Sequence, residues 1–127
     1  MKIEIDGNDG TGKSYRALLL KRIIPGLQIK DRGLFSAATL NEKLFDGDAE
    51  LIEAFRATVK ENTDTLYIIC TCSIEKSQNR ILERGDSLDE EYHTERDLKK
   101  FNDRFDFLLH LVKECPNVIR VNTENDL

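Results

Sequence analysis

The sequence predicts an α/β domain three layers deep, in which a small, mostly parallel sheet of about four strands carries helices on both faces. Three observations predict it. Segments with strand patterning alternate with segments of helical periodicity along the whole chain. The most apolar segment, Leu66 to Thr71, is a continuous run of strand length, as a central strand covered on both faces reads. The chain has 127 residues, enough for one hydrophobic core, and no repeat, low-complexity tract or linker divides it, so residues 1–127 read as a single domain.

The elements follow in order. Ile3 and Ile5 alternate with Glu4 and Asp6 and the pattern stops at Gly7, which predicts a first strand from Lys2 to Asp6. After a glycine-bearing loop, Lys13 to Ile24 reads as a largely apolar helix that must pack against a sheet and is ended by Pro25-Gly26. Leu27 and Ile29 alternate with Gln28 and Lys30 in a short second strand that runs into Asp31-Arg32-Gly33. A helix is expected from Ser36 to Phe45; Asp46-Gly47-Asp48 breaks it before another whose Leu51, Ile52, Phe55 and Val59 recur at helical spacing.

Beyond the central strand, Ser73 can cap a helix from Ile74 to Arg84, buried through Ile74, Ile81 and Leu82 and closed by Gly85. The polar, acidic stretch from Gly85 to His93 is expected to be a surface loop. Thr94-Glu95-Arg96-Asp97 has the form of a helix-opening box, and Leu98, Phe101, Phe105, Leu108, Leu109 and Val112 form one stripe of the long helix behind it. Pro116 follows its end, Val118 to Val121 supplies the last strand, and Thr123 to Leu127 is expected to be a loose tail.

Composition excludes several classes of function. A net charge of -5 argues against non-specific coating of nucleic acid, which rests on a dense basic face, although a local basic cleft is compatible with it. No apolar run approaches the ~20 residues that a bilayer requires, and Met1-Lys2 leads directly into the first strand with no secretory leader. A cytoplasmic protein without membrane contact is the expectation. Of the three cysteines, Cys70 and Cys72 sit in an apolar run, as reduced core residues do. Combined with His93 or His110 they match no standard metal spacing.

The chemistry lies in Gly7-Asn8-Asp9-Gly10-Thr11-Gly12-Lys13-Ser14, which fits the phosphate-binding pattern G-x-x-x-x-G-K-[ST]. Small residues let backbone N–H groups turn inward around an anion, and the helix opening near Lys13 adds the positive end of its dipole. Lys13 is placed to reach β- and γ-phosphates, and the Ser14 hydroxyl to ligate Mg2+. A strand precedes the loop and a helix follows it, the context in which the pattern has this meaning. ATP with Mg2+ is the expected ligand, held by Gly7 through Tyr15, and Lys13 is expected to meet solvent when the site is empty. The central strand ends in Cys70-Thr71-Cys72 with no carboxylate, so the metal-organising acid is sought at the end of the short strand, where Asp31 precedes Arg32. An acid there can hold a metal-bound water, and an arginine can grip a phosphate bidentately.

At these residues the chain resembles the thymidylate kinase group of nucleoside and nucleotide kinases. Ile3 to Ser14 looks like that family's strand-[ED]-G-x-D-G-x-G-K-[ST], Asp31-Arg32-Gly33-Leu34-Phe35-Ser36 like its D-R-x-x-x-S, and Arg80-Ile81-Leu82-Glu83-Arg84-Gly85-Asp86 like the start of its lid. The resemblance covers about the first third of the chain and the region from Leu66 to Phe105. It implies a three-layer P-loop fold and transfer of phosphate from ATP to a (deoxy)nucleoside monophosphate. It implies that Asp9 faces the acceptor sugar, that Asp31 and Ser14 place Mg2+, and that Arg32 holds the acceptor phosphate. Family members with glycine where Gly10 stands draw a catalytic arginine from the lid, here Arg80 or Arg84. These two are four residues apart and are expected to share one face of a helix, with 85–94 as the lid-like loop. Phe35 can stack on an acceptor base or fill the core, and Tyr15 stands where the family prefers a small hydroxyl residue.

One departure is clear. Family members wall the acceptor pocket with a strand and helices inserted before D-R-x-x-x-S, whereas six residues separate Ile24 from Asp31 here. The acceptor site is expected to be smaller, built from segments such as the helix around Leu51 to Val59, or completed by a second subunit in a homodimer. Two alternatives stay open: a P-loop kinase acting on a nucleoside or a polynucleotide 5′ end, and a nucleotide-binding protein without transfer activity.

Overall fold

Strand β1 (Lys2–Gly7) lies between β2 (Gln28–Asp31) and β3 (Thr65–Thr71), and β3 pairs with β4 (Val118–Asn122); all the pairings are parallel. The structure is a computed structural model that describes residues 1–125, and the sheet order among them is β2-β1-β3-β4. The helices are α1 (Lys13–Ile23), α2 (Leu34–Thr39), α3 (Glu42–Phe45), α4 (Ala49–Glu61), α5 (Ile74–Glu83) and α6 (Glu95–Leu111). None of the described helices is long and apolar enough to cross a membrane. The architecture is α/β with a four-stranded, wholly parallel sheet, as expected.

Strand register decides which face each residue meets. Ile3, Ile5 and Gly7 stand beside Leu66, Ile68 and Cys70, and this face receives α1 through Ala17 and Leu20. Glu4 and Asp6 stand beside Tyr67 and Ile69, on the face that packs with Phe35 of α2, Phe55 and Val59 of α4, and Phe105, Leu108 and Val112 of α6. Phe35 meets Phe55 edge-on with ring centroids 5.1 Å apart, so it is a core aromatic with no exposed surface, and a stacking role on a ligand is ruled out. Each such side chain contributes roughly 1.5–3 kcal/mol through burial.

The two layers differ in thickness. The single helix α1 buries only Lys13 and Ala17, leaving Leu18 49%, Ile23 72% and Ile24 49% exposed. Leu66 and Ile68 beneath it are only half-buried, so β3 is less covered on this face than its apolar run predicts. An eleven-residue helix is too short to close over four strands.

Three further expectations are corrected. The helix expected from Ser36 to Phe45 is two short ones, because Asn41 takes an extended backbone between α2 and α3. In α5, Ile81 is buried as expected but Leu82 is 52% exposed, since the helix packs through Ser77 and Ile81 alone. The tail is fixed at its start: Thr123 is buried, its amide donates to the Thr71 carbonyl at 2.8 Å, and Glu124 accepts from Ser73. Asp126 and Leu127, expected to be loose, lie outside the described residues.

Candidate functional site

The chain runs from β1 to β2 on one side and reaches β3 on the other, so the sheet order reverses between β1 and β3. In open parallel sheets ligands settle at the carboxyl ends of the strands beside such a reversal. The loop leaving β1 occupies that point. A concavity of about 710 Å3 lies between α4 and α6 at the opposite edge, where β3 and β4 begin; it is larger, but it stands apart from every residue picked out by motif.

The loop takes its shape from three glycines. Gly10 and Gly12 both hold φ of 76°, a left-handed conformation in which a side chain would be strained. A Cβ on Gly10 would also come within 2.4 Å of the Ser77 carbonyl, so the loop lies hard against α5. On its other flank Asn8 is buried, and its amide donates to the Leu98 carbonyl at 2.8 Å and to Asn102 at 3.1 Å, which ties the loop to α6. Thr11, also buried, closes the turn by donating to the Asn8 carbonyl at 2.7 Å.

Lys13 does not meet solvent. It is 6% exposed, with its ammonium 3.3 Å from the Asn8 carbonyl and 3.9 Å from Asp9. Burial lowers its pKa, and the nearby Arg32 guanidinium adds to the effect. A buried ammonium held by one carbonyl and a distant carboxylate is a cation that an anion would satisfy. The helix behind it also opens toward that place. Asp48, Ser73 and Thr94 cap α4, α5 and α6 with side-chain hydrogen bonds, whereas α1, like the short α2 and α3, begins with no N-cap side-chain bond, its N-cap being left-handed Gly12.

Ser14 and Asp31, each expected to place Mg2+, lie together: the hydroxyl donates to the carboxylate at 2.8 Å. Two hard oxygen donors fit Mg2+, which keeps waters and phosphate oxygens for the rest of its octahedron. The described residues contain no group of three or more His, Cys, Asp and Glu side chains able to hold a metal. Tyr15, which follows, is 55% exposed.

Arg32 carries a positive φ of 64°, rare for a residue with a side chain, and donates to Asp9 at 3.0 Å. Its backbone is held in place from β1. The Arg32 amide donates to Ile5, the Gly33 amide to Asp6 at 2.7 Å and the Leu34 amide to Glu4 at 2.7 Å, while the Ser36 hydroxyl also donates to Asp6. Glu4 and Asp6, the polar half of the strand's alternation, thus receive the start of α2. Asp6 is fully buried and its Oδ2 has no hydrogen-bond partner among the described residues; burial raises its pKa.

Beside Asp9 and Arg32 opens a cleft of about 370 Å3, walled by Ser36 and Leu40 on one side and by Tyr92, Phe101 and Phe105 on the other. Tyr92 and Phe101 meet edge-to-face at 5.3 Å. The wall comes from α2 and the residue after it, from the 85–94 loop and from α6, not from the Leu51–Val59 segment proposed from sequence, whose Phe55 and Val59 are spent in the core.

The two arginines expected to share a helix face diverge: Arg80 lies within α5, whereas Arg84 is the residue that ends it. Arg80 donates to the Gly10 carbonyl at 3.2 Å, to Thr123 and, weakly, to Cys72 Sγ, which fixes it behind the loop. Arg84, 45% exposed, pairs with Asp86 and lies 3.2 Å from His93. His93 is the residue that motif reading missed. It is 6% exposed, its Nε2 is 3.0 Å from Asp9 and its Nδ1 is 2.9 Å from the Ser87 carbonyl. A histidine at the end of an otherwise acidic loop was the one available signal. Cys70, Cys72 and Cys115 are free thiols.

No family model matches the chain, and neither a curated protein nor a solved structure matches it.

Proposed function

We propose that the chain is a P-loop kinase that transfers the terminal phosphoryl group of ATP to a small phosphorylated acceptor of the nucleoside monophosphate class. One observation carries the reading: a buried, underpartnered Lys13 at an uncapped helix start stands beside the Ser14–Asp31 pair. A structural lysine would be matched to a carboxylate at close range, whereas the nearest one among the described residues is 3.9 Å away.

In this account the loop amides and Lys13 bind the β- and γ-phosphates, and Ser14 and Asp31 would hold magnesium. The metal, when bound, neutralises charge that develops on the phosphate oxygens. Arg32 grips the acceptor phosphate, and the aromatic wall of Tyr92 and Phe101 receives the base. The cleft is at the small end of the ~300–1,000 Å3 typical of ligand pockets and suits one nucleotide. Arg84, half-exposed and paired with Asp86 and His93, is the arginine that reaches over the transferred group, while Arg80 is committed to shaping the loop.

The test is ADP release over a panel of nucleoside monophosphates with MgATP, with Arg32→Ala as control. Acceptor-dependent ADP that Arg32→Ala loses supports the proposal. ATP binding without turnover on any monophosphate, nucleoside or oligonucleotide 5′ end would leave a non-catalytic nucleotide-binding protein.

A further inference from the structure

One wall of the cleft is built from very little. Helix α2 has six residues and α3 four, both well below the ~12 residues at which a helix begins to hold itself. The start of α2 is anchored on β1, where Glu4 accepts from the Leu34 amide and Asp6 from the Ser36 amide. Its end is held differently. Of its last four carbonyls, that of Ser36 accepts from the Thr39 hydroxyl at 2.7 Å, that of Ala37 from the Leu40 amide at 3.2 Å and that of Ala38 from the Asn41 amide at 3.1 Å. All three donors belong to the same segment. The Thr39 carbonyl is met from outside it, by Arg104 of α6 at 2.7 Å.

Arg104 reaches several places at once. Its other terminal nitrogen donates to Glu42 of α3 at 2.6 Å, and its guanidinium carbon lies 4.5 Å from the ring centroid of Phe45 in α3 and 5.7 Å from that of Phe101 in α6. The side chain is 11% exposed, so these contacts are made largely out of water. A rigid fork of donors that also stacks on aromatic faces suits the place, and a lysine could not reproduce it. Lys100, one turn earlier on α6, brings a second cation to Glu42 at 3.6 Å. Thr39 and Phe101 line opposite walls of the cleft, so Arg104 joins one wall to the other.

From this geometry we infer that Arg104 is a positioning residue: it clamps the end of α2 to α6, sets the width of the cleft between Leu40 and Phe101, and so decides the size of the ring system that the cleft admits. Leu40 follows Thr39 directly and is 60% exposed, with little packing of its own to hold it. Without the fork the Thr39 carbonyl turns to water and the Leu40 wall moves outward. A one-ring ligand then loses contacts on that wall, while a two-ring ligand gains room. Size selection rests on the proposed role of the cleft as the acceptor site; the clamp does not.

The two parts are tested separately. Hydrogen exchange of the ligand-free protein tests the clamp, comparing wild type with Arg104→Gln, Arg104→Lys and Ile81→Val, a core change on α5 away from the cleft. The expected result is exchange at least tenfold faster at the amides of Leu40, Asn41 and Leu44 in Arg104→Gln, measured against the amides of β3 in the same protein. A smaller rise is expected in Arg104→Lys and no selective rise in Ile81→Val. Uniform acceleration along the chain, or none, overturns the clamp. Should Arg104→Gln fail to fold, Arg104→Lys, which keeps the charge and the stem, is read in the same way.

The second arm titrates cytidine and guanosine monophosphates, one-ring and two-ring ligands, into wild type and Arg104→Gln by calorimetry, with MgATP as the reference ligand. The expected result is a ratio of guanosine to cytidine dissociation constants that falls at least fivefold in the variant, while ATP affinity stays within twofold. A constant ratio overturns size selection. Absence of binding by either monophosphate to a wild type that binds ATP overturns size selection together with the acceptor reading, and the exchange result then decides the clamp by itself.

Discussion

The Ser14 hydroxyl donates to the Asp31 carboxylate at 2.8 Å, joining the first turn of α1 to the end of β2 across seventeen positions of sequence. Neither side chain makes another hydrogen bond among the described residues, and Asp31 is exposed. The pair is therefore open to substitution without loss of structure.

Asp31→Ala should leave thermal stability within about 0.5 kcal/mol of wild type, as exposed substitutions do. The Mg2+ concentration needed for half-maximal triphosphate binding should rise at least tenfold. Calorimetry over a magnesium series checks both expectations, and an unchanged magnesium requirement would remove Asp31 from the metal site.

Lys13→Met should abolish triphosphate binding while leaving the ligand-free protein as stable as wild type or more so. The sign follows from linkage. Burial lowers the folded pKa of Lys13 below 10.5, so the unfolded chain binds the extra proton and stability rises with pH between the folded value and 10.5. At neutral pH the buried ammonium is a cost that methionine removes. Thermal melts at neutral pH without ligand give the answer; marked unfolding of the variant would mark Lys13 as structural.

Asp6 titrates in the opposite sense. Burial raises its folded pKa above 3.8, so its favourable contribution is complete below that value and is lost as pH rises through the folded pKa. Asp6→Asn, which cannot ionise, should gain stability relative to wild type as pH is raised from 4 to 7. Denaturant midpoints at the two pH values measure it. Ser36→Ala, which takes a donor from the same carboxylate, should cost about 1.5–3 kcal/mol at pH 7.

Gly10→Ala combines a strained φ with a Cβ only 2.4 Å from the Ser77 carbonyl, and should destabilise by more than about 2 kcal/mol. Gly47→Ala, with left-handed φ but open space around it, supplies the comparison and should cost less by the difference in packing. Equal losses would mean that the contact with α5 has no role in shaping the loop.

Of the two arginines at the end of α5, Arg80→Ala should lower stability, because the side chain ties Gly10 to Thr123. Arg84→Ala should lower kcat by about 10²-fold or more with little change in stability. Melting curves and single-turnover rates of the two variants separate these roles.

Local features were the legible ones. The strand–glycine loop–helix order from Ile3 to Ile23 is written in adjacent residues, and so are the caps Ser73 and Thr94. Ser14 is assigned to Mg2+ by the glycine-loop pattern and Asp31 as the acid that ends the short strand, and the fold brings the two together. What could not be read depends on distant partners. His93 and Asp9 are separated by 84 positions, Asn8 and Leu98 by 90, and no local pattern connects them. The aromatic wall at Tyr92 and Phe101 is hidden for the same reason: Phe101 belongs to an ordinary apolar stripe until α6 is placed beside the loop. Glu4 and Asp6 held an unused clue. A strand with neighbours on both edges has no solvated face once helices cover it, so its acids must meet donors, here the amides that open α2.

The central claim is that the turn closing on Lys13 seats a nucleoside triphosphate with its metal. Isothermal titration of the intact chain with ATP in excess magnesium tests it directly: saturable heat at one site per chain, absent in Lys13→Met, is the predicted result. Absence of heat in wild type, or equal heat in the variant, would contradict it.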